Sequence, residues 1–188
     1  AQAKYAEAEP LYKRALSIYE KNFGPEHSNV AIALNNLALV YYSQAKYAEA
    51  EPLFKRALSI NEKLLGKEHP SVATNLINLA ENYRQQARYA EAEPLYKRTL
   101  SIYEKAFGKE HPKVAFPLHN LATLYQAQAK YAEAEPLFKR SLSIYEKHFG
   151  KEHPYVAITL SWLFNLYQDQ AKYAEAEQSL LRALSINE

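Results

Sequence analysis

The sequence predicts an all-α fold, a solenoid of stacked antiparallel helix pairs with about nine helices. Three observations carry this. The pentapeptide Tyr-Ala-Glu-Ala-Glu starts at Tyr5 and returns at Tyr47, Tyr89, Tyr131 and Tyr173, each time 42 residues on. Gly24, Gly66, Gly108 and Gly150 are the only glycines and keep the same interval. Between them apolar residues recur at helical spacing, as in Leu76, Leu79, Ala80 and Tyr83, the i, i+3, i+4, i+7 stripe of one buried face. A fixed period of this length marks stacked units that each bury a face against the next.

Residues 1–24 read as a lone helix B of a truncated unit. Residues 25–66, 67–108, 109–150 and 151–188 each read as a helix A followed by a helix B, so that 1–188 forms a single solenoid. In 67–108, Glu68-His69-Pro70 opens helix A, where a proline in the first turn loses only an N–H that has no partner anyway. Gln85 to Arg88 interrupts the stripe and makes the turn. Helix B then carries Tyr89, Ala92, Tyr96, Thr99 and Leu100 on its buried side and ends at Gly108 in a left-handed stop. Pro94 lies early in this helix and removes at most one intrahelical hydrogen bond.

Ala80 and Ala92 fall where the two helices cross, because only small side chains let helix axes approach to about 8 Å. Ala38 with Ala50, and Ala122 with Ala134, repeat the arrangement. In the last unit Ala176 faces Phe164, which predicts a looser or rotated crossing. Pairs such as Glu9/Lys13, Glu51/Lys55 and Glu93/Lys97 fit i, i+4 support on a solvated face. Neither the first nor the last helix B has a polar cover, and Leu181, Leu184 and Ile186 are left bare, so adhesive ends are expected.

Composition narrows the function. The chain has 188 residues, 48% of them apolar, and a formal charge of +2. Its charges are interspersed, with no basic block to track phosphates, which argues against nucleic acid. There is no cysteine, so disulfides and thiolate metal sites are excluded, and a cytoplasmic setting is expected. The most apolar stretch, Val156 to Tyr167, is too short to span a membrane, and no signal peptide is visible. The sequence begins without methionine in mid-repeat, as an excised fragment would.

At this point the residues resemble the tetratricopeptide repeat: Leu37, Ala38, Tyr41, Tyr47, Ala50, Phe54 and Ala57 match its spacing. The stretches Leu65 to Pro70 and Ala50 to Leu58 resemble the 42-residue variety found in kinesin light chain and many bacterial repeat proteins. Alanine stands at the usual turn glycine throughout (Ala3, Ala45, Ala87, Ala129, Ala171), and the last unit has Phe164 and Gln178 where Ala and Pro are expected. The near-identity of the repeats points to recent tandem duplication or to deliberate design.

The resemblance implies a right-handed superhelix in which helix A lines a concave groove. The groove positions would then be Asn35, Asn36, Leu39 and Tyr42; Ile77, Asn78, Glu81 and Arg84; Phe116, His119, Asn120 and Gln126; and Trp162 and Asn165. Helix B is almost copied between units, whereas this face varies, which suits either an unlike partner or drift at exposed sites. Asn36, Asn78 and Asn120 form a ladder at fixed spacing. A carboxamide can meet both polar groups of an extended backbone; alternatively, these side chains satisfy neighbouring helices. The resemblance also implies cargo peptides with tryptophan and acidic residues, held by asparagines matching Asn78 and Asn120 and an arginine matching Arg84. Glu81 sits one turn from Arg84, and Thr74, Phe116 and Ile158 are not lysines, which argues against an acidic preference here. Trp162 reads either as an aromatic anchor beside Phe116 and Ile158 or, with Phe164, as a plug for the uncovered end.

His27, His69, His111 and His153 share one inter-repeat position, so neighbours are roughly 10 Å apart, and zinc ligands must lie about 2 Å from one point. They are expected to make loop hydrogen bonds before helix A, with no metal and no cofactor. No glycine-rich phosphate loop, activated serine or convergent acid pair is present. The sequence therefore predicts a non-enzymatic scaffold binding a peptide or extended protein segment in the groove. The alternative is self-assembly through the terminal helices, head to tail or as a dimer.

Overall fold

A computed structural model describes the backbone of residues 2–187 and the side chains of residues 8–186. Tyr5, Ala6 and Glu7 of the first pentapeptide lie outside the described side chains. Among the described residues the structure is all-α, with α1 (Gln2–Phe23), α2 (Ser28–Ser43), α3 (Tyr47–Leu65), α4 (Pro70–Gln85), α5 (Tyr89–Phe107), α6 (Pro112–Ala127), α7 (Tyr131–Phe149), α8 (Pro154–Asp169) and α9 (Tyr173–Asn187). The even-numbered helices are the A helices and the odd-numbered ones the B helices. None of them is long and apolar enough to cross a membrane. Because α1 already begins at Gln2, Ala3 falls inside a helix, unlike its four counterparts at turns.

Two compact units result, Ala1–Ile102 and Tyr103–Glu188. In the first, α1 packs on α2, α2 on α3, and α3 on α4; in the second, α6 packs on α7, α7 on α8, and α8 on α9. These contacts are between chain neighbours, as short connections between antiparallel helices dictate, and α2 also touches α4. The crossing alanines are sealed: Ala38, Ala50, Ala80, Ala92, Ala122 and Ala134 are fully buried. Beside them Phe54, Tyr96 and Phe138, equivalent residues of successive B helices, are also fully buried. In the last pair Phe164 is only partly buried and packs in the cluster of Ala134, Phe138, Leu163 and Ala176.

The helix ends show why the interval is so regular. His27, His69, His111 and His153 are the N-caps of α2, α4, α6 and α8. In each, Nδ1 accepts the backbone N–H two residues on, at 3.1–3.2 Å. This satisfies one of the helix's orphan donors, with Nδ1 as the acceptor. Phe23, Phe107 and Phe149 stack on His27, His111 and His153 and hold the rings in place. The expected loop hydrogen bonds are thus helix caps.

At the A-to-B turns, Ala45, Ala87, Ala129 and Ala171 have φ of 55–58°. The N–H of Lys46 bonds to Tyr41 O and that of Ala45 to Tyr42 O, both at 2.9 Å, the paired pattern of a Schellman cap. Alanine therefore occupies the left-handed position that glycine takes more cheaply. The glycines stop the B helices differently. Gly66 has φ 89° and ψ 151°, outside the left-handed helical region expected for it and in one that essentially only glycine adopts. A Cβ there would meet nothing within 4 Å, so backbone conformation alone requires glycine.

Candidate functional site

In the first unit the predicted positions lie on α2 and α4. Asn35, Asn36, Ile77 and Asn78 are half-buried. Asn78 Nδ2 donates to Asn35 Oδ1 at 2.9 Å, so one rung of the asparagine ladder joins adjacent A helices. Leu39, Tyr42, Asn78 and Glu81, with Phe54 of α3 beneath, surround a depression of about 110 Å³. Leu39 is 38% exposed at its edge. The combination is an apolar floor with an amide and a carboxylate on its walls.

Glu81 organises this wall. Its Oε1 accepts from Tyr42 OH at 3.1 Å and from Gln85 Nε2 at 2.9 Å. Its Oε2 accepts from Arg84 Nε and from Tyr96 OH, both at 2.8 Å. Arg84 also donates through Nη2, making the pair bidentate. Burial pushes the Glu81 carboxyl upward, but these hydrogen bonds and the Arg84 charge outweigh it and bring its pKa down to about 2. Tyr42, pushed up to about 12 by burial and by the Glu81 charge, stays a donor. Burial followed by the same charge also raises the Tyr96 phenol. The Arg84 guanidinium is therefore neutralised within the protein: a ligand carboxylate must compete with a bidentate intramolecular partner.

In the second unit the predicted positions lie on α6 and α8. Phe116 and Ile158 are 49% and 51% exposed. Together with His119, Tyr145, Tyr155 and Thr159 they enclose a depression of about 190 Å³. Trp162 does not line it. The indole is half-buried, meets the His119 ring edge-on at 5.2 Å and lies parallel to Phe138 at 6.4 Å. Asn120 is half-buried and Asn165 exposed. Gln126 Nε2 donates to Asp169 Oδ2 at 2.7 Å, linking the ends of α6 and α8.

Several participants were not foreseen. Phe54 and Tyr96 are core residues of B helices that also reach the A-helix face of the first unit. Tyr155 was detectable, since it stands where the other repeats have Asn29, Ser71 and Lys113. Tyr145 gave no such signal. Two further asparagines are structural: buried Asn75 accepts from Asn61 Nδ2 at 2.7 Å, and buried Asn82 donates to Tyr47 O at 3.1 Å.

The chain matches the tetratricopeptide repeat family over residues 1–63, 32–105, 71–147 and 118–188. No curated protein matches it in sequence. Among solved structures it is similar to a Podosopora anserina protein described as a candidate kinesin light chain with nearly identical TPR-like repeats. That likeness has 28% identity and a TM-score of 0.85, and covers 98% of this chain and 88% of the other. BtubC (BKLC) from P. vanneervenii gives 25% identity and a TM-score of 0.85 over 98% and 73% of the two chains. The apo form of RapI shares the fold, at 20% identity and a TM-score of 0.77, over 98% of this chain and 49% of that one.

Proposed function

Because the chain belongs to the tetratricopeptide repeat family, we propose that it is a non-enzymatic protein-interaction scaffold whose A-helix faces hold a peptide or extended segment of another protein. One observation supports this most. In each unit an apolar depression opens among A-helix side chains that differ between repeats, beside Leu39 in one and between Phe116 and Ile158 in the other. Such a depression accepts an apolar anchor, while amides near it hold the adjoining backbone. The Glu81–Arg84 pair sets the preference: a ligand of this chain is bound without needing acidic residues, unlike the acidic cargo that the kinesin light chain resemblance implies.

A peptide-library selection against the full chain tests the reading. Selected sequences should be rich in apolar anchors and neutral in charge. A Leu39→Asp, Phe116→Asp double variant should lose them by at least about tenfold. Equal binding by both proteins rejects the assignment of this face.

A second reading, self-association, is favoured by α9, where Tyr173, Leu181 and Leu184 are 70%, 60% and 51% exposed. A mass by light scattering that stays monomeric across concentrations rejects it.

A further inference from the structure

The repeats allow a residue-by-residue comparison that singles out one more cavity. It measures about 370 Å³ and lies away from the variable A-helix positions. Leu142 of α7, Leu160, Leu163 and Tyr167 of α8, and Gln178 and Ser179 of α9 line it. Three repeats earlier in the sequence the counterparts of the first four are Leu16, Leu34, Leu37 and Tyr41, all identical. The counterparts of the last two are Pro52 and Leu53, and the intervening repeats also carry Pro and Leu, at Pro94, Leu95, Pro136 and Leu137. The final repeat alone has Gln178 and Ser179.

The first unit shows what belongs in this space. There Leu53 packs against a cluster containing Leu34, with Leu16 beside it. In the last repeat the equivalent leucines remain, but the isobutyl group that should cover them is missing. Ser179 Oγ turns away to donate to Glu175 O at 2.8 Å, so the shortened side chain neither fills the space nor offers it an unmet donor. What remains is a socket over these leucines, apolar at its floor and polar at its rim.

Its rim is polar and its charges are matched: Lys139 pairs with Glu135 and Arg182 with Glu146, and Glu175 also borders the space.

We propose that this socket binds a leucine side chain of a partner polypeptide. The site uses the buried side of α8 between α7 and α9 and shares no residue with the two depressions on the variable A-helix positions. Its occupant supplies in trans the side chain that Leu53 supplies in the first unit.

The test uses the full 188-residue chain, N-acetyl-leucine amide as probe and N-acetyl-alanine amide as control, followed by heteronuclear NMR. The leucine amide should give saturable shifts at the Ser179 amide and the Leu142 and Leu163 methyl groups, with a dissociation constant of roughly tens of millimolar, as one buried side chain allows. The Ser179→Leu variant restores the side chain found in the sister repeats. It should raise the melting temperature by roughly 5 °C and abolish the shifts, while Leu39→Asp should leave them intact. Equal shifts with the alanine amide, or shifts that survive Ser179→Leu, overturn the proposal. Self-association of the wild type that Ser179→Leu removes would assign the socket to a second copy and overturn the partner named here.

Discussion

Glu81→Gln removes one charge and keeps nearly all of the shape, so it isolates what ionisation contributes at the A-helix face. The side chain is 28% exposed, enclosed enough for its hydrogen bonds to escape most solvent screening. Its folded-state pKa of about 2 lies below the ordinary 4.5, a separation worth about 3 kcal/mol. The sign follows from the direction: a depressed carboxylate stabilises the folded state fully above pH 4.5 and ceases to do so as pH falls through 2. At pH 7 the variant should be less stable by about 3 kcal/mol, and at pH 3 by about half of that. Urea denaturation followed by helical circular dichroism at the two pH values measures both gaps. An equal gap at pH 7 and pH 3 would show that the loss is one of packing and not of charge. A gap below about 0.5 kcal/mol at pH 7 would place the cluster among ordinary surface pairs.

Three further changes test other parts of the structure. Replacing Ala45, Ala87, Ala129 and Ala171 one at a time by glycine relieves a left-handed alanine and should stabilise by about 1 kcal/mol each; a lower melting point in these variants would refute the strain. His69→Ala should cost about 1 kcal/mol through loss of the α4 cap, whereas His69→Asn, which keeps a side-chain acceptor, should cost a few tenths; equal losses in thermal denaturation would show that the ring and not its Nδ1 matters. Trp162→Ala should lower stability by about 2 kcal/mol, because the indole packs on His119 and Phe138. A melting curve unchanged by it would return Trp162 to the role of ligand anchor, where its loss weakens a bound peptide and leaves helicity alone.

Much of the architecture could be read from residues that repeat, because identical spacing forces identical local structure. Pro70 marked the start of α4, Gly108 followed the end of α5, and Ala80 with Ala92 formed a buried crossing, all from helix geometry alone. The site was harder for a physical reason. A-helix positions can be assigned to a face by periodicity, but the orientation of a polar side chain depends on partners distant in sequence. Asn78 finds Asn35 on the preceding A helix, and Tyr96, assigned only to a buried stripe, sends its hydroxyl to Glu81. Neither link follows from spacing. Ser179 is the opposite case. The departure from leucine was in plain view, yet the expectation stopped at its neighbour Gln178, because a serine on a polar helix attracts no notice until the cavity beside it is seen.

The ion pairs between successive B helices have a consequence for how such a chain changes length. Arg56 pairs with Glu20 at 2.6 Å, Arg98 with Glu62 at 2.5 Å, Arg140 with Glu104 at 2.7 Å, and Arg182 with Glu146. Every arginine reaches back the same 36 residues. Excising or inserting one complete period would therefore rejoin an arginine to an equivalent glutamate and strand no charge. Crossing-over between misaligned copies would be electrostatically silent, so that genetic slippage can shorten or extend the protein without a compensating mutation at the seam.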